Sequence, residues 1–296
     1  MNGLLVLDKP SDWTSHDVVG RVRRILGTRK VGHAGTLDPM ATGVLVLGVG
    51  RATRLLGYIS GADKTYTATI RLGQRTSTDD AEGELLEQAS PEAIAELHLS
   101  SVEEGIALLT GTILQVPSSV SAIKVDGRRA YARVRAGEEV VLAPRKVEVS
   151  EFTLLGHQFA EAWIDLQVQV TCSSGTYIRA LARDLGSELG LGGHLTALRR
   201  TRLGAWDQSE ALTPEQLQAG AITEASLLTM EDAAARVFPQ WVVSQSDAAM
   251  VRNGRRIEWG YAESSDPVIA IYDADGSFLA LAEQHGPTAK YLAVFV

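Results

Sequence analysis

The chain has one cysteine, Cys172, in 296 residues. A single thiol excludes an internal disulfide, any metal cluster built on cysteine, and the paired-cysteine zinc site of a base deaminase. Long apolar runs are missing too. Stretches such as Val44 to Val49 fall far short of the ~20 residues that cross a bilayer. Leu4 to Leu7 is too short, and lacks the basic flank, to be a signal peptide. The expected location is therefore the reducing cytoplasm, with Cys172 a buried structural thiol after the alternating run Ile164 to Val170. The six histidines (16, 33, 98, 157, 194 and 285) show no ligand spacing, so no metal is expected. GVGRAT at 48–53 hints at a dinucleotide loop, but Thr53 stands where the third glycine belongs. Internal repeats and low-complexity segments are absent.

Lysine is scarce, with six against 22 arginines, and the formal charge is −8. A negative total argues at first against a nucleic-acid partner, but the charge is unevenly placed. Residues 1–75 hold 11 bases against 5 acids, whereas residues 76–115 hold 9 acids and no Lys or Arg. Residues 116–146 return to 7 bases against 3 acids, and 176–204 hold 5 against 2. Local field steers a phosphate backbone, so folding that gathers the basic blocks on one face would suit RNA. Hydrophobic content of 45% and charged content of 22% are ordinary for a globular chain. The length suits one large domain and one small one.

The chemistry concentrates in GHAGTLDPMATG, residues 32–43. Gly32, Gly35 and Gly43 permit unusual backbone angles, and Pro39 pushes Asp38 toward an extended conformation, so the segment reads as a loop without regular structure. Strand-like runs lie on both sides. A carboxylate on a loop held by such a scaffold is a candidate for catalysis, although an Asp-Pro is commonly only a turn. Around it, Gly3 to Leu7 reads as a strand. Thr14 or Ser15 caps a helix with Val18, Val19, Val22, Ile25 and Leu26 on its apolar face, ended by Gly27. Further strands are expected at Val44 to Val49, Tyr66 to Leu72 and through 147–171. Helices are expected at Ala52 to Ile59, near 91–98 and 101–110, around Ala130 to Arg135, and from Tyr177 to Leu189. Residues 205–235 read as acidic and helical. From Trp241 the chain reads as short strands with turns at Asn253-Gly254, Asp266-Pro267 and Asp273 to Gly276.

GHAGTLDPMATG resembles the signature of tRNA pseudouridine synthases of the TruB type. Five more segments resemble the same family in the same order: LLVLDKPSDWTSHDVV (4–19), DKTYTATIRLGQRTSTDDAEG (63–83), VPSSVSAIKVDGRRAYARVRAG (116–137), CSSGTYIRALARDLG (172–186) and ALRRTRLG (197–204). The resemblance implies an α+β fold: a mixed, largely antiparallel sheet flanked by helices, plus a small C-terminal β-barrel like a PUA domain. Residues 1–240 would form the catalytic domain, with motifs over 3–204 and a helical linker over 205–240. Residues 241–296 would form the RNA-binding tail, with Arg252, Arg255 and Arg256 as its basic cluster.

The implied activity converts a uridine in the T-arm of tRNA, position 55 of the T-loop, to pseudouridine. The glycosidic bond breaks, the base turns, and it rejoins through carbon 5. Neither redox change nor net hydrolysis occurs, so no cofactor is required. The resemblance makes Asp38 the catalytic carboxylate. It makes Arg179 the fixed cation that keeps Asp38 charged in a closed pocket. Tyr66 would stack on the extruded uracil, Tyr177 and Leu198 would line the pocket, and His33 would enter the stack that the base leaves. Lys9, Pro10 and Lys64 are motif residues with structural or phosphate-directed roles. The expected partner is tRNA alone, bound by a monomer with neither membrane nor obligate protein partner. Two alternatives stay open: a non-catalytic tRNA-binding or tRNA-folding protein on the same scaffold, and a guide-RNA-dependent synthase.

Overall fold

The computed structural model describes residues 1–118, 142–261 and 267–296, with the backbone of Lys124–Val125 and Arg128–Arg129. The helix expected around Ala130 to Arg135 lies outside the described residues.

Along the chain, strand β1 (Gly3–Lys9) leads to helix α1 (Ser15–Ile25), β2 (Val31–Ala34) and β3 (Thr42–Val49). A 3-10 turn over Gly50–Arg54 precedes α2 (Leu56–Gly61), and then come β4 (Lys64–Leu72) and the hairpin β5 (Gln74–Thr76) with β6 (Leu85–Gln88). Helices α3 (Pro91–Ala95) and α4 (Leu99–Leu108) lead to β7 (Gly111–Gln115) and the two-residue strands β8 (Lys124–Val125) and β9 (Arg128–Arg129). Next are β10 (Arg145–Phe159), β11 (Ile164–Cys172), α5 (Ile178–Glu188), β12 (Gly193–Leu203) and β13 (Trp206–Asp207). Helices α6 (Pro214–Ala219) and α7 (Met230–Val237) connect to the tail, which comprises β14 (Gln240–Val242), α8 (Gln245–Arg252), β15 (Ile269–Tyr272), β16 (Phe278–His285) and β17 (Thr288–Val294).

A mixed, nine-stranded sheet forms the centre. Its order is β1-β3-β12-β4-β11-β10-β7, with β2 added to β3 and β13 to β12. Among these pairs only β3 with β12 is parallel. Both faces of its first strands are covered, which explains their unbroken apolar sequence. Leu5, Leu7, Leu45 and Leu47 face one core with Val18, Val22 and Leu185 of the flanking helices. Leu4, Val6, Val44 and Val46 face a second core. Thr14 caps α1 through a capping box with Asp17, which settles the choice between Thr14 and Ser15.

Four expectations change. The segment 32–43 is not loop throughout: Val31–Ala34 pairs antiparallel with Val46 to Val49, and Thr42 and Gly43 already belong to β3. A Gly-His-Ala sequence carries no strand periodicity, and the partner strand supplies the order. The helix expected over Ala52 to Ile59 divides into the 3-10 turn and α2. In the tail, Asn253-Gly254 is not a hairpin turn but the end of α8, with Gly254 left-handed at φ 68°. Residues 205–235 are only partly helical, as α6, α7 and two 3-10 turns.

The tail's four strands form a separate sheet in the order β14-β15-β16-β17. One of its faces packs with α8 around Val251, Ile271 and Leu279. Its other face completes the second core, where Tyr272, Phe278 and Phe295 meet Leu4, Val46, Ile59, Trp206 and Phe238. Arg51 donates to the Phe295 carbonyl at 2.7 Å, and Arg54 lies 4.8 Å over the Phe295 ring. The tail is therefore joined to the large sheet through a common core. Phe295→Ala should lower unfolding free energy by about 3–5 kcal/mol, the cost of a large aromatic lost from a packed core. Denaturant unfolding of the full chain measures this, and a loss below about 1 kcal/mol would show that the two units do not share stability.

Candidate active site

Asp38 sits where β3 changes partners. One edge of β3 pairs with β1 throughout, while the other pairs with β2 at Val46 to Val49 and with β12 at Thr42 and Gly43. The loop 35–41 arches over that change. Gly43 makes the close approach possible: it is left-handed at φ 99°, and a Cβ there would stand 2.2 Å from the Arg200 carbonyl.

The residues on either side of Asp38 are fixed by hydrogen bonds. Ser15 Oγ accepts from the Leu37 amide at 2.9 Å and donates to the Leu37 carbonyl at 3.2 Å. Lys9, fully buried, donates to the carbonyls of Pro10, Trp13 and Pro39 at 2.8, 2.6 and 3.0 Å. Burial lowers its pKa to about 8. Lys9 is thus committed to shaping the loop. Lys64 is similar: it borders the cleft but donates to the Ser60 and Ala62 carbonyls at 3.0 and 2.7 Å.

Opposite the loop stands the first turn of α5. Its N-cap residue, Tyr177, has no side-chain cap of its own. Gln115 of β7 serves instead, accepting from the Tyr177 amide at 2.8 Å and donating to the Tyr177 carbonyl at 3.1 Å. This fixes Arg179 two residues later. Arg179 Nε lies 2.9 Å from Asp38 Oδ2, with the arginine side chain 5% exposed and the aspartate 38%. Arg179 Nη1 lies 3.2 Å from Asp80 Oδ2 and donates to the Thr78 carbonyl at 3.0 Å. Asp80 is in turn held by Thr78 Oγ1 at 2.5 Å and the Glu82 amide at 3.1 Å. One guanidinium therefore bridges two carboxylates, one buried and one facing the cleft.

Tyr66 on β4 is directly opposite Arg200 of β12. Burial pushes its phenol above the ordinary range, while the Arg200 guanidinium beside it pulls the other way. His33 meets His16 edge to face at 5.4 Å, and burial lowers its pKa to about 4, so its imidazole is neutral at pH 7. Leu198 on β12 pairs with Ala68.

His33, Asp38, Tyr66, Tyr177, Arg179 and Leu198 all line one cleft of about 470 Å³. That volume is in the range of pockets for small organic groups, about 300–1,000 Å³. Sequence reasoning passed over Asp80, Gln115 and Arg200. The first and last stand inside quoted motifs, and Gln115 immediately precedes one. Among the described residues no group of three His, Cys, Asp or Glu forms a metal site.

The model of the TruB family pseudouridylate synthase N-terminal domain matches residues 23–178. The tRNA pseudouridylate synthase B C-terminal domain matches 179–237, and the tRNA pseudouridine synthase II C-terminal model matches 238–296. The cleft draws on the first two segments, with Asp38 and Tyr66 from one and Arg179 and Leu198 from the other. A tRNA pseudouridine synthase B from Leifsonia xyli subsp. xyli is 55% identical over 296 residues, covering 99% of this chain and 96% of that protein. One from Thermobifida fusca is 53% identical, covering 99% and 98%. Among solved structures, a chain of a Cbf5-Nop10-Gar1 complex superposes with a TM-score of 0.72 at 25% identity, over 99% of this chain and 85% of that one. With the fold and sequence likeness over nearly its whole length in agreement, the chain belongs to the TruB family of tRNA pseudouridine synthases and is an isomerase.

Proposed function

We propose that this cleft converts the T-loop uridine at position 55 of tRNA to pseudouridine, with Asp38 as the attacking carboxylate. The observation that carries this reading is the 2.9 Å pairing of Asp38 with a buried Arg179 inside a cleft walled by Tyr66, Tyr177 and Leu198. A base in a folded loop must leave its stack before its sugar can be reached. In this reading Tyr66 receives the extruded ring, Tyr177 and Leu198 enclose it, and His33, being neutral, fills the vacated place. Asp38 is already oriented by its loop and by Arg179, so little reorganisation precedes reaction. Residues 1–240 carry the chemistry and 241–296 add contact with the tRNA. The protein works as a monomer in the cytoplasm and needs no guide.

The test is direct: purified protein with a bare tRNA transcript and no added RNA or protein. Pseudouridine at the T-loop uridine is the expected product. A protein that binds the transcript without modifying it is a binding or folding protein, and one that modifies it only with an added guide RNA belongs to the guide-dependent class.

Some of the basic residues are engaged within the protein. In residues 1–75, Lys9 and Lys64 hold carbonyls, and Arg71 and Arg75 pair with Asp165 and Glu87. Arg21, Arg23, Arg51 and Arg54 donate to backbone carbonyls. In the tail Arg252 is paired with Asp273. Arg23, Arg24, Arg29, Lys30, Arg51 and Arg54 are exposed, as are Arg255 and Arg256 in the tail. About four phosphate contacts give a log–log salt slope of roughly −3 to −4. Binding isotherms over a salt series check this, and a flat response would exclude a phosphate-steered interface.

A further inference from the structure

Arg200 is the cleft residue whose burial is hardest to explain by packing. It is fully buried and ranks among the largest such side chains in the protein. Burying a guanidinium is costly unless its donors are engaged. Two sides are engaged by the catalytic loop and its following strand: Nε donates to the Val44 carbonyl at 2.7 Å, and Nη2 to the Gly35 carbonyl at 3.1 Å. These bonds hold the start of the loop, as Lys9 holds its end. Nη1 is buried without a well-formed hydrogen bond. Gly35 leaves room for it, since a Cβ there would lie 3.3 Å from Nη1.

The neighbour on the remaining side is Tyr66. The two residues are cross-strand partners in the β4–β12 ladder, so their side chains leave the same face of the sheet. Both line the cleft, with the guanidinium beside the phenol. Leu198, two residues before Arg200, shares that face. Resting on the reading of the cleft above, we infer that Arg200 is a positioning residue that holds the Tyr66 hydroxyl and ties its placement to that of the Asp38 loop. A planar fork bonded to the Val44 and Gly35 carbonyls, with its remaining nitrogen buried beside the phenol, sets the phenol's place relative to the loop backbone. A lysine at this position has one nitrogen and cannot meet the two carbonyls and the phenol together.

A double-mutant cycle on the full chain tests this, using Arg200→Lys, Tyr66→Phe and the double variant in single-turnover assays with bare tRNA transcript. Arg200→Lys should slow turnover on the order of 10²-fold, the scale of a small misplacement in a reacting site. tRNA affinity should stay within about twofold, because a fully buried guanidinium offers no surface charge to a phosphate. Tyr66→Phe keeps the ring and loses the hydroxyl, and should fall by a similar factor. The double variant should be no slower than the slower single one, because both changes remove the same contact. Multiplying losses would mean that Arg200 acts independently of Tyr66, and full activity in either single variant would equally overturn the inference. Arg200→Gln serves as the second variant. If both it and Arg200→Lys lose their cooperative thermal transition, Arg200 is a folding residue and the inference falls. An inactive wild type would instead refute the proposed function, so the two failures are distinguishable.

Discussion

Asp38→Asn should abolish pseudouridine formation while the variant still folds and binds tRNA. Asparagine keeps the size of the side chain but removes the negative charge that attack on the sugar or base requires. Turnover should fall by at least about a thousandfold, as expected when a covalent catalyst is deleted. Folding should survive because Arg179 keeps Asp80 and the Thr78 carbonyl as partners. The loop should survive as well: Ser15 and Lys9 hold Leu37 and Pro39 through backbone atoms, which the substitution leaves alone. Affinity depends on phosphate contacts elsewhere and should change by no more than about twofold. Single-turnover assays and filter binding on one transcript measure both quantities. Turnover within tenfold of wild type would remove Asp38 from the chemistry, whatever its position.

The contrast between Asp38 and Asp80 shows how far the sequence could be read. Both lie in family-like motifs, but only Asp38 stands beside a proline among glycines, where local backbone chemistry signals a shaped loop. Asp80 lies in an acidic stretch with no such local signal, yet it is 3% exposed. Its partner, Arg179, is 99 residues away, and no local pattern registers such a pairing. The same limit hid β12. Its sequence, GHLTALRRTRL, carries three arginines and no clear strand periodicity, so no strand is expected there. In the fold Arg199 pairs with Asp8, Arg200 holds two carbonyls, and Arg202 donates to Thr65 Oγ1 and the Gly204 carbonyl. Strands with both faces apolar, such as Val44 to Val49, were legible because burial by itself dictates their composition. A strand whose arginines are engaged inside the fold was not. Nor does a count of bases register that Lys9 and Lys64 are buried on backbone carbonyls.

Arg179 offers the sharpest separation of charge from geometry. Arg179→Lys keeps a cation at the head of α5 but replaces a fork with one nitrogen. Arg179 meets Asp38 through Nε and Asp80 through Nη1, and an ammonium cannot hold both carboxylates at these positions. Stability should fall moderately, by about 1–2 kcal/mol, since the charge is kept while a buried network loses its fit. Turnover should fall on the order of 10²-fold or more, because Asp38 is no longer held where charge develops. Arg179→Met should behave differently. It leaves Asp38 and Asp80 facing each other without a cation, and loss of one partner from a buried pair costs about 3–5 kcal/mol. Denaturant unfolding and single-turnover assays on the two variants give both numbers. If Arg179→Lys turned over at the wild-type rate, the positive charge alone would suffice and the bridging geometry would have no catalytic role. If Arg179→Met were as stable as wild type, the Arg179–Asp80 contact would not be a supporting element of the site.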